Sequence, residues 1–177
     1  MAKKIIFLDR DGVINKEVGY LHKVEDFIFI DGVFEVLKEL QYSGYEFIII
    51  TNQSGIGRGF YTEKDYQKVD KWMKDKFKSK NINILHSLHC PHKDEDNCLC
   101  RKPKPGLIRK CFEKYTISKK DSWLVGDSER DIEAGIRSQI FNTILVRSGH
   151  KINESKTKAL AVADSIKDIK EIIYSKI

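Results

Sequence analysis

Ile5-Ile6-Phe7-Leu8-Asp9-Arg10-Asp11-Gly12 runs four apolar residues straight into two acids and a glycine. Two of the four are β-branched, and an apolar run without alternation reads as a short strand buried on both faces. The carboxylates fall where that strand ends, and open parallel sheets take their ligands at the carboxyl ends of strands. Asp9 and Asp11 are two apart, so a strand continuing straight would point them the same way, while Gly12 lets the backbone turn off beyond them. Such a pair suits a metal, an acid/base pair, or a nucleophile with its partner. It is equally the form of a polar turn, since Asp and Gly both favour turns.

The pattern recurs downstream. Phe47-Ile48-Ile49-Ile50 is a second buried strand, ending in the loop Thr51-Asn52-Gln53-Ser54-Gly55-Ile56-Gly57-Arg58-Gly59. Ile84 to His89, Ser122 to Val125 and Asn142 to Val146 read as the third, fourth and fifth strands, the fourth leading into Gly126-Asp127. Helical spacing of apolar residues lies between them: Val33 to Leu40 after Asp31-Gly32, Tyr66 to Phe77 behind a Thr62 cap, Leu107 to Tyr115, and about Glu129 to Arg137. Ser165 caps a last helix through Ile166, Ile169, Ile172 and Ile173, and Lys151 to Lys158 reads as polar surface. Strands alternating with helices predict an α/β fold, a Rossmann-like parallel sheet with helices on both faces, as a single domain over 1–177.

Composition sets outer bounds. At 177 residues, 41% hydrophobic and 33% charged, the chain can bury a core without disulfides. No apolar run approaches the roughly 20 residues that span a bilayer, so a cytoplasmic protein with no membrane partner is expected. The formal charge of +6 is spread along the chain, and no alternation of aromatic and basic residues of the kind that tracks single strands is present. A small anionic ligand is expected rather than nucleic acid, and a monomer rather than an oligomer.

Strands one, two and four finish in groups suited to phosphate chemistry: Asp9 and Asp11, then Thr51, then Asp127. A parallel sheet brings those ends to one edge. A hydroxyl with free backbone N–H groups can hold phosphate oxygens, and clustered carboxylates can hold Mg²⁺. Arg101-Lys102-Pro103-Lys104-Pro105-Gly106 supplies positive charge just before a helix. Each group has a plainer reading: Asp127 as a helix cap, Thr51 as a strand-end hydroxyl, Lys102 as a solvated charge. Their order along the chain makes a joint coincidence implausible.

Cys90-Pro91-His92 and Cys98-Leu99-Cys100 form C-x-H-x5-C-x-C, four soft ligands within eleven residues. Three thiolates and one imidazole suit tetrahedral Zn²⁺, and a full protein ligand set points to a structural site. Zinc there would stiffen the loop that delivers Arg101 and Lys102. Cys111 falls on an apolar helix face and reads as core, and His86 and His89 as strand-surface or packing residues.

Asp9-x-Asp11-Gly12, Thr51-Asn52-Gln53, Lys102 and Gly126-Asp127-x-x-x-Asp131 resemble, in order, the four motifs of the haloacid dehalogenase (HAD) superfamily of phosphohydrolases. The resemblance runs from Ile5 to about Gly149. It implies that Asp9 attacks phosphorus to form an aspartyl phosphate, while Asp11 protonates the leaving oxygen and later activates water. It also implies Mg²⁺ on Asp9, the backbone carbonyl of Asp11, and Asp127. Thr51 and Lys102 would bind phosphoryl oxygens, and Asp131 would support the lysine or the metal. The residues agree with this division: Asp9 leaves a rigid strand, as an aimed nucleophile should, and Asp11 would act as acid with a second carboxylate nearby.

Only Val13 to Ile30 separates the first strand from its helix, too little for an inserted cap domain, so an open site is expected. Capless members with a cysteine loop resemble two kinds of small-metabolite phosphatase, acting on the 7-phosphate of heptose 1,7-bisphosphate or on histidinol phosphate. The Thr51 to Gly59 loop, Gly19-Tyr20, Cys100-Arg101-Lys102-Pro103-x-Pro105-Gly106 and Leu145-Val146-Arg147-Ser148-Gly149 look more like the heptose enzymes, which supply surface glycans. The metal loop is shorter than in many of them, and Ser128 stands where a lysine often follows the metal aspartate. Substrate contacts are expected from Glu17, Val18, Gly19, Tyr20, Thr51, Asn52, Gln53, Ser54, Arg58, Arg101, Lys102 and Ser128. Arg101 is suited to gripping the phosphate that is not cleaved. A polynucleotide 3′-phosphatase ranks third, on the Gln53 to Gly59 loop. A zinc-stabilised binding module is the non-enzymatic alternative, which leaves the aspartates at the strand ends unexplained.

Overall fold

The computed structural model describes residues 2–176, one residue short of the expected domain at each end. Six parallel strands form one sheet: β1 (Lys4–Leu8), β2 (Tyr45–Asn52), β3 (Ile84–Cys90), β4 (Trp123–Gly126), β5 (Asn142–Val146) and β6 (Ala161–Ala163). Their order is β3-β2-β1-β4-β5-β6. The connections carry α1 (Val33–Tyr42), α2 (Ser54–Gly57), α3 (Glu63–Ser79), α4 (Gly106–Lys114) and α5 (Glu129–Arg137), and α6 (Ile169–Tyr174) follows the last strand.

The unbroken apolar run of β1 reflects its place between β2 and β4, with both faces covered. Ile6 and Leu8 point with Phe47, Ile49, Val125 and Ile144 into a layer closed by Val36, Leu40, Val69, Met73, Phe77 and Ile169 of α1, α3 and α6. Ile5 and Phe7 point with Ile48, Ile50 and Leu124 to the opposite layer, against Ile108 and Cys111 of α4 and Ile132 of α5. Each such side chain contributes about 1.5–3 kcal/mol on burial, so the alternation pins the register of the central strand. Cys111 lies in this core, its thiol donating to the Leu107 carbonyl.

Chain order reverses between β1 and β4, and the crevice beyond their carboxyl ends is where ligands bind in such sheets. Between β1 and α1 there is only a short 3-10 turn at Val24–Asp26, and Leu21, Phe27 and Ile30 pack into the core. The mouth of the crevice therefore carries no cap domain on that connection.

Several boundaries depart from the sequence reading. The third strand extends to Cys90, because Asn52 and Cys90 still pair across the sheet. Ser54–Gly57, read as loop, forms a single helical turn. Ala161–Ala163 adds a sixth strand beside β5, too short and too alanine-rich to stand out in the sequence. Ser165 caps a 3-10 turn that runs on into α6. Lys151 to Lys158 is mostly exposed, as expected.

Candidate active site

A cavity of about 390 Å³ opens beyond β1, β2 and β4, and Asp9, Asp11, Thr51, Lys102, Asp127 and Asp131 all line it. Asp9 extends the ladder by one bond, its N–H donating to the Val125 carbonyl at 3.0 Å. Its Oδ1 accepts the Arg10 N–H at 2.8 Å and pairs with Lys102 Nζ at 2.9 Å. Beyond it the chain reverses: N–H groups of Val13, Ile14 and Asn15 all donate to the Arg10 carbonyl. Gly12 takes φ 82°, and a Cβ there would collide with Asp127 Oδ2, so the turn needs glycine for conformation and for space.

Lys102 is the electrostatic centre. Its buried ammonium lies 2.6 Å from Asp131 Oδ1 and 2.9 Å from Asp9 Oδ1, and donates to the Ile50 carbonyl at 2.8 Å. Burial alone would favour its neutral form, but Asp131 and Asp9 outweigh that and hold its pKa above the ordinary lysine value. The lysine is fixed from its backbone as well: Lys102 N–H donates to Asn52 Oδ1 at 3.1 Å, and Asn52 Nδ2 to the Lys102 carbonyl at 3.2 Å. Asp131 caps α5, accepting the Ser128 N–H at 3.0 Å and the Ser128 hydroxyl at 2.8 Å on Oδ2. Both of its oxygens are thus engaged within the protein.

Asp9, Asp127 and Asp131 each offer an oxygen within 4.8 Å of the others. Burial, with the neighbouring carboxylates, raises Asp9 well above the usual range, against the pull of Lys102. Burial and then the charge of Asp131 likewise raise Asp127. Three carboxylates, two buried and Asp9 largely so, against one lysine leave two negative charges in excess, which is costly away from water. A divalent, oxygen-seeking cation such as Mg²⁺ fits that donor set. With Asp131 engaged by Lys102 and Ser128, the carboxylates free to hold the ion are Asp9 and Asp127.

Asp11 lies outside this group of three carboxylates. Donors surround it instead. Arg10 Nη2 reaches both oxygens at 3.0 Å, Asn15 Nδ2 reaches Oδ1 at 2.9 Å, and Gln53 Nε2 reaches Oδ2 at 2.9 Å. Arg10 is fully buried and also donates to the carbonyl of Leu21. Gln53 is held by the Tyr61 hydroxyl at 2.6 Å and donates to Thr51 Oγ1 at 2.9 Å. The sequence reading gave no role to Arg10, the buried arginine between the two aspartates. Asn15 and Tyr61 were missed as well: each acts through a partner that folding brings near.

Of the expected substrate residues, Glu17, Gly19, Tyr20, Thr51, Asn52, Gln53, Ser54, Arg58, Arg101, Lys102 and Ser128 line the cavity. Val18 is half exposed and does not. Several of these side chains have protein partners. Asn52 and Ser128 hold Lys102 and Asp131, as described above, and Arg101 forms a two-pronged pair with Asp94 at 2.7 and 3.1 Å. His150, one residue past the stretch that carried the resemblance, lines the cavity and bonds Asp127.

Cys90, His92, Cys98 and Cys100 converge with ligand atoms within 4.8 Å of one another. Separations run from 3.0 Å between Cys90 and Cys100 Sγ to 3.5 Å between Cys90 and Cys98 Sγ, with 3.3 Å from His92 Nδ1 to Cys100 Sγ. The atoms lie closer than the edge of about 3.8 Å of a tetrahedron with Zn–S bonds near 2.3 Å, and three thiols with one imidazole are the donor chemistry that suits Zn²⁺. Burial would raise the Cys98 thiol, but the Arg101 N–H and the neighbouring thiols outweigh it and draw the group down to about 7. The cluster sits on the active-site wall: Gln53 N–H donates to the Cys90 carbonyl at 2.7 Å and Gly57 N–H to the Pro91 carbonyl at 2.9 Å. His89 pairs with Glu63 and packs on Tyr66, and His86 stands edge-on to Tyr115, neither joining the cluster.

The HAD-hydrolase-like family matches residues 99–171. A D-glycero-alpha-D-manno-heptose-1,7-bisphosphate 7-phosphatase of Photorhabdus laumondii is 48% identical over 164 residues, spanning 89% of this chain and 90% of that protein. A D-glycero-beta-D-manno-heptose-1,7-bisphosphate 7-phosphatase of Pasteurella multocida is 39% identical over 97% of each. The crystal structure of D,D-heptose 1,7-bisphosphate phosphatase from B. bronchiseptica, complexed with magnesium and phosphate, is similar with a TM-score of 0.83. It covers 98% of this chain and 99% of its own at 24% identity, a likeness of fold.

Proposed function

The chain belongs to the HAD-like phosphatases, in the family of the heptose-1,7-bisphosphate 7-phosphatases, and on that premise we propose that it hydrolyses the 7-phosphate of D-glycero-D-manno-heptose 1,7-bisphosphate. The products are heptose 1-phosphate and inorganic phosphate. The observation that carries the reading is the buried Lys102, tied to Asp9 and Asp131 at the crevice that Thr51 and Asp127 also line.

Asp9, aimed through Oδ1 by Lys102 and the Arg10 N–H, adds to phosphorus as the bond to the sugar oxygen breaks. Asp11 delivers a proton to that oxygen, releasing the sugar hydroxyl. It then takes a proton from water, which attacks phosphorus and frees Asp9. Thr51 and Lys102 bind the phosphoryl oxygens, with Asp131 holding the lysine in place. Asp9, Asp127 and the backbone carbonyl of Asp11 would hold Mg²⁺, which when bound would neutralise charge between an anionic nucleophile and an anionic phosphate. Arg101 exchanges Asp94 for the second phosphate. Asp94 is largely exposed, so water can take the place of Arg101 when that pair opens. Glu17, Tyr20, Ser54 and Arg58 contact the sugar.

The enzyme acts as one capless domain in the cytoplasm, feeding surface-glycan synthesis. Among the described residues no helix is long and apolar enough to cross a membrane, and none of the four cysteines is in a disulfide. The higher identity to the α-named relative favours the α-anomer. Comparing kcat/KM on the α- and β-anomers, histidinol phosphate and a 3′-phosphorylated oligonucleotide tests this. The α-bisphosphate should lead, and preference for either of the last two would overturn the assignment.

Cys90, His92, Cys98 and Cys100 hold a structural Zn²⁺ that keeps Arg101 and Lys102 in register with Asn52, whose amide grips the Lys102 peptide from the end of β2. Removing the metal with a strong chelator, or making Cys98→Ser, should lower Tm and cut kcat/KM at least about tenfold, with zinc content falling in parallel. Full activity in zinc-free protein would remove this role.

A further inference from the structure

One oxygen of Asp127 is enclosed on every side that the fold supplies. Oδ2 accepts the backbone N–H of His150 at 3.0 Å and lies 2.7 Å from His150 Nδ1. A Cβ on Gly12 or on Gly149 would collide with this same oxygen, so backbone closes over it from two segments. An ionised carboxylate only accepts, so Nδ1 of His150 carries the hydrogen whichever charge state the ring holds. Asp127 is 1% exposed, and turning its carboxylate would give up both bonds. Oδ1 is therefore the oxygen left for the group formed with Asp9 and Asp131.

Mg²⁺ demands near-ideal octahedral geometry and takes carboxylates through single oxygens, whereas Ca²⁺ accepts two-oxygen carboxylates and more ligands. We propose that His150 is a positioning residue that confines Asp127 to one-oxygen ligation and so biases the site toward Mg²⁺ over Ca²⁺. The imidazole does this from the cavity side, where its ring is half exposed. Partners that orient a metal ligand commonly account for 10–100-fold in metal affinity. The inference rests on Asp127 being a metal ligand, as in the function proposed above.

Calorimetric titration of substrate-free, zinc-loaded protein with Mg²⁺ and with Ca²⁺ tests it without recourse to hydrolysis. His150→Ala should weaken Mg²⁺ binding about tenfold or more and weaken Ca²⁺ binding less, shifting the ratio of the two affinities toward Ca²⁺. His150→Asn places an amide N–H near the position of Nδ1 and should stay within about threefold of the parent. His150→Gln, whose amide reaches toward the position of Nε2, should resemble His150→Ala. An unchanged affinity ratio in His150→Ala, or equal recovery by Gln and Asn, overturns the proposal. Asp127→Asn, titrated alongside, separates the two levels. If it loses Mg²⁺ binding while His150→Ala does not, only the role of His150 fails; if it too binds normally, the metal site itself is misassigned.

Discussion

Asp9→Asn is expected to abolish turnover, by on the order of 10⁴–10⁶-fold in kcat, while leaving the protein folded and its zinc bound. The carboxamide keeps an oxygen to accept the Arg10 N–H but cannot bond to phosphorus as a carboxylate does. Stability should not fall with activity. Asp9 sits beside the buried Asp127 and Asp131, and its removal from water holds its carboxyl well above the usual range. A neutral isostere relieves part of that excess negative charge, and Lys102 keeps Asp131 at 2.6 Å. Phosphate release, thermal unfolding without Mg²⁺ and zinc content together check the result. Turnover within about a hundredfold of the parent would remove Asp9 as nucleophile.

Lys102→Met should fail in the opposite manner, losing stability as well as rate. The substitution keeps the length of the stem but leaves Asp9, Asp127 and Asp131 with no buried cation. Breaking a buried pair by removing one partner costs about 3–5 kcal/mol, or roughly 10 °C of Tm in a chain of this size. The kcat should fall about 10²–10³-fold, as when one charge-stabilising donor is lost. Adding Asp131→Asn should recover part of the Tm, because the carboxylate stranded by the first change is then gone, yet activity should not return. Mg²⁺ should raise the Tm of Lys102→Met, since it offsets the same excess charge. An unaltered Tm in metal-free Lys102→Met would mean that the buried pairs contribute little to the fold.

These two variants separate what the motifs carry from what the packing adds. Asp9, Thr51, Lys102 and Asp127 were legible because each follows a buried strand or precedes a helix, and strand ends of a parallel sheet converge by topology. The cluster of Cys90, His92, Cys98 and Cys100 was legible from spacing, since its four side chains lie within a single short stretch. The environment of Asp11 was not. Nothing local predicts that Arg10 turns inward, because its burial depends on Leu21, Gln53 and Asp11 meeting around it. Arg101 illustrates the same limit: its place beside Lys102 was readable, while its pairing with Asp94 depends on how the cysteine loop folds back.

Local patterning was enough for the α/β class, the strand ends that face the crevice and the chemical type of each site residue. Hydrophobic periodicity and turn residues act over a few positions, and those features are local. Partnerships between distant residues came from the fold: Asn52 with the Lys102 peptide, and His150 with Asp127, join positions far apart in the chain. Such contacts exist once burial has brought elements together, and the cost of leaving a buried polar group unpaired then selects among them.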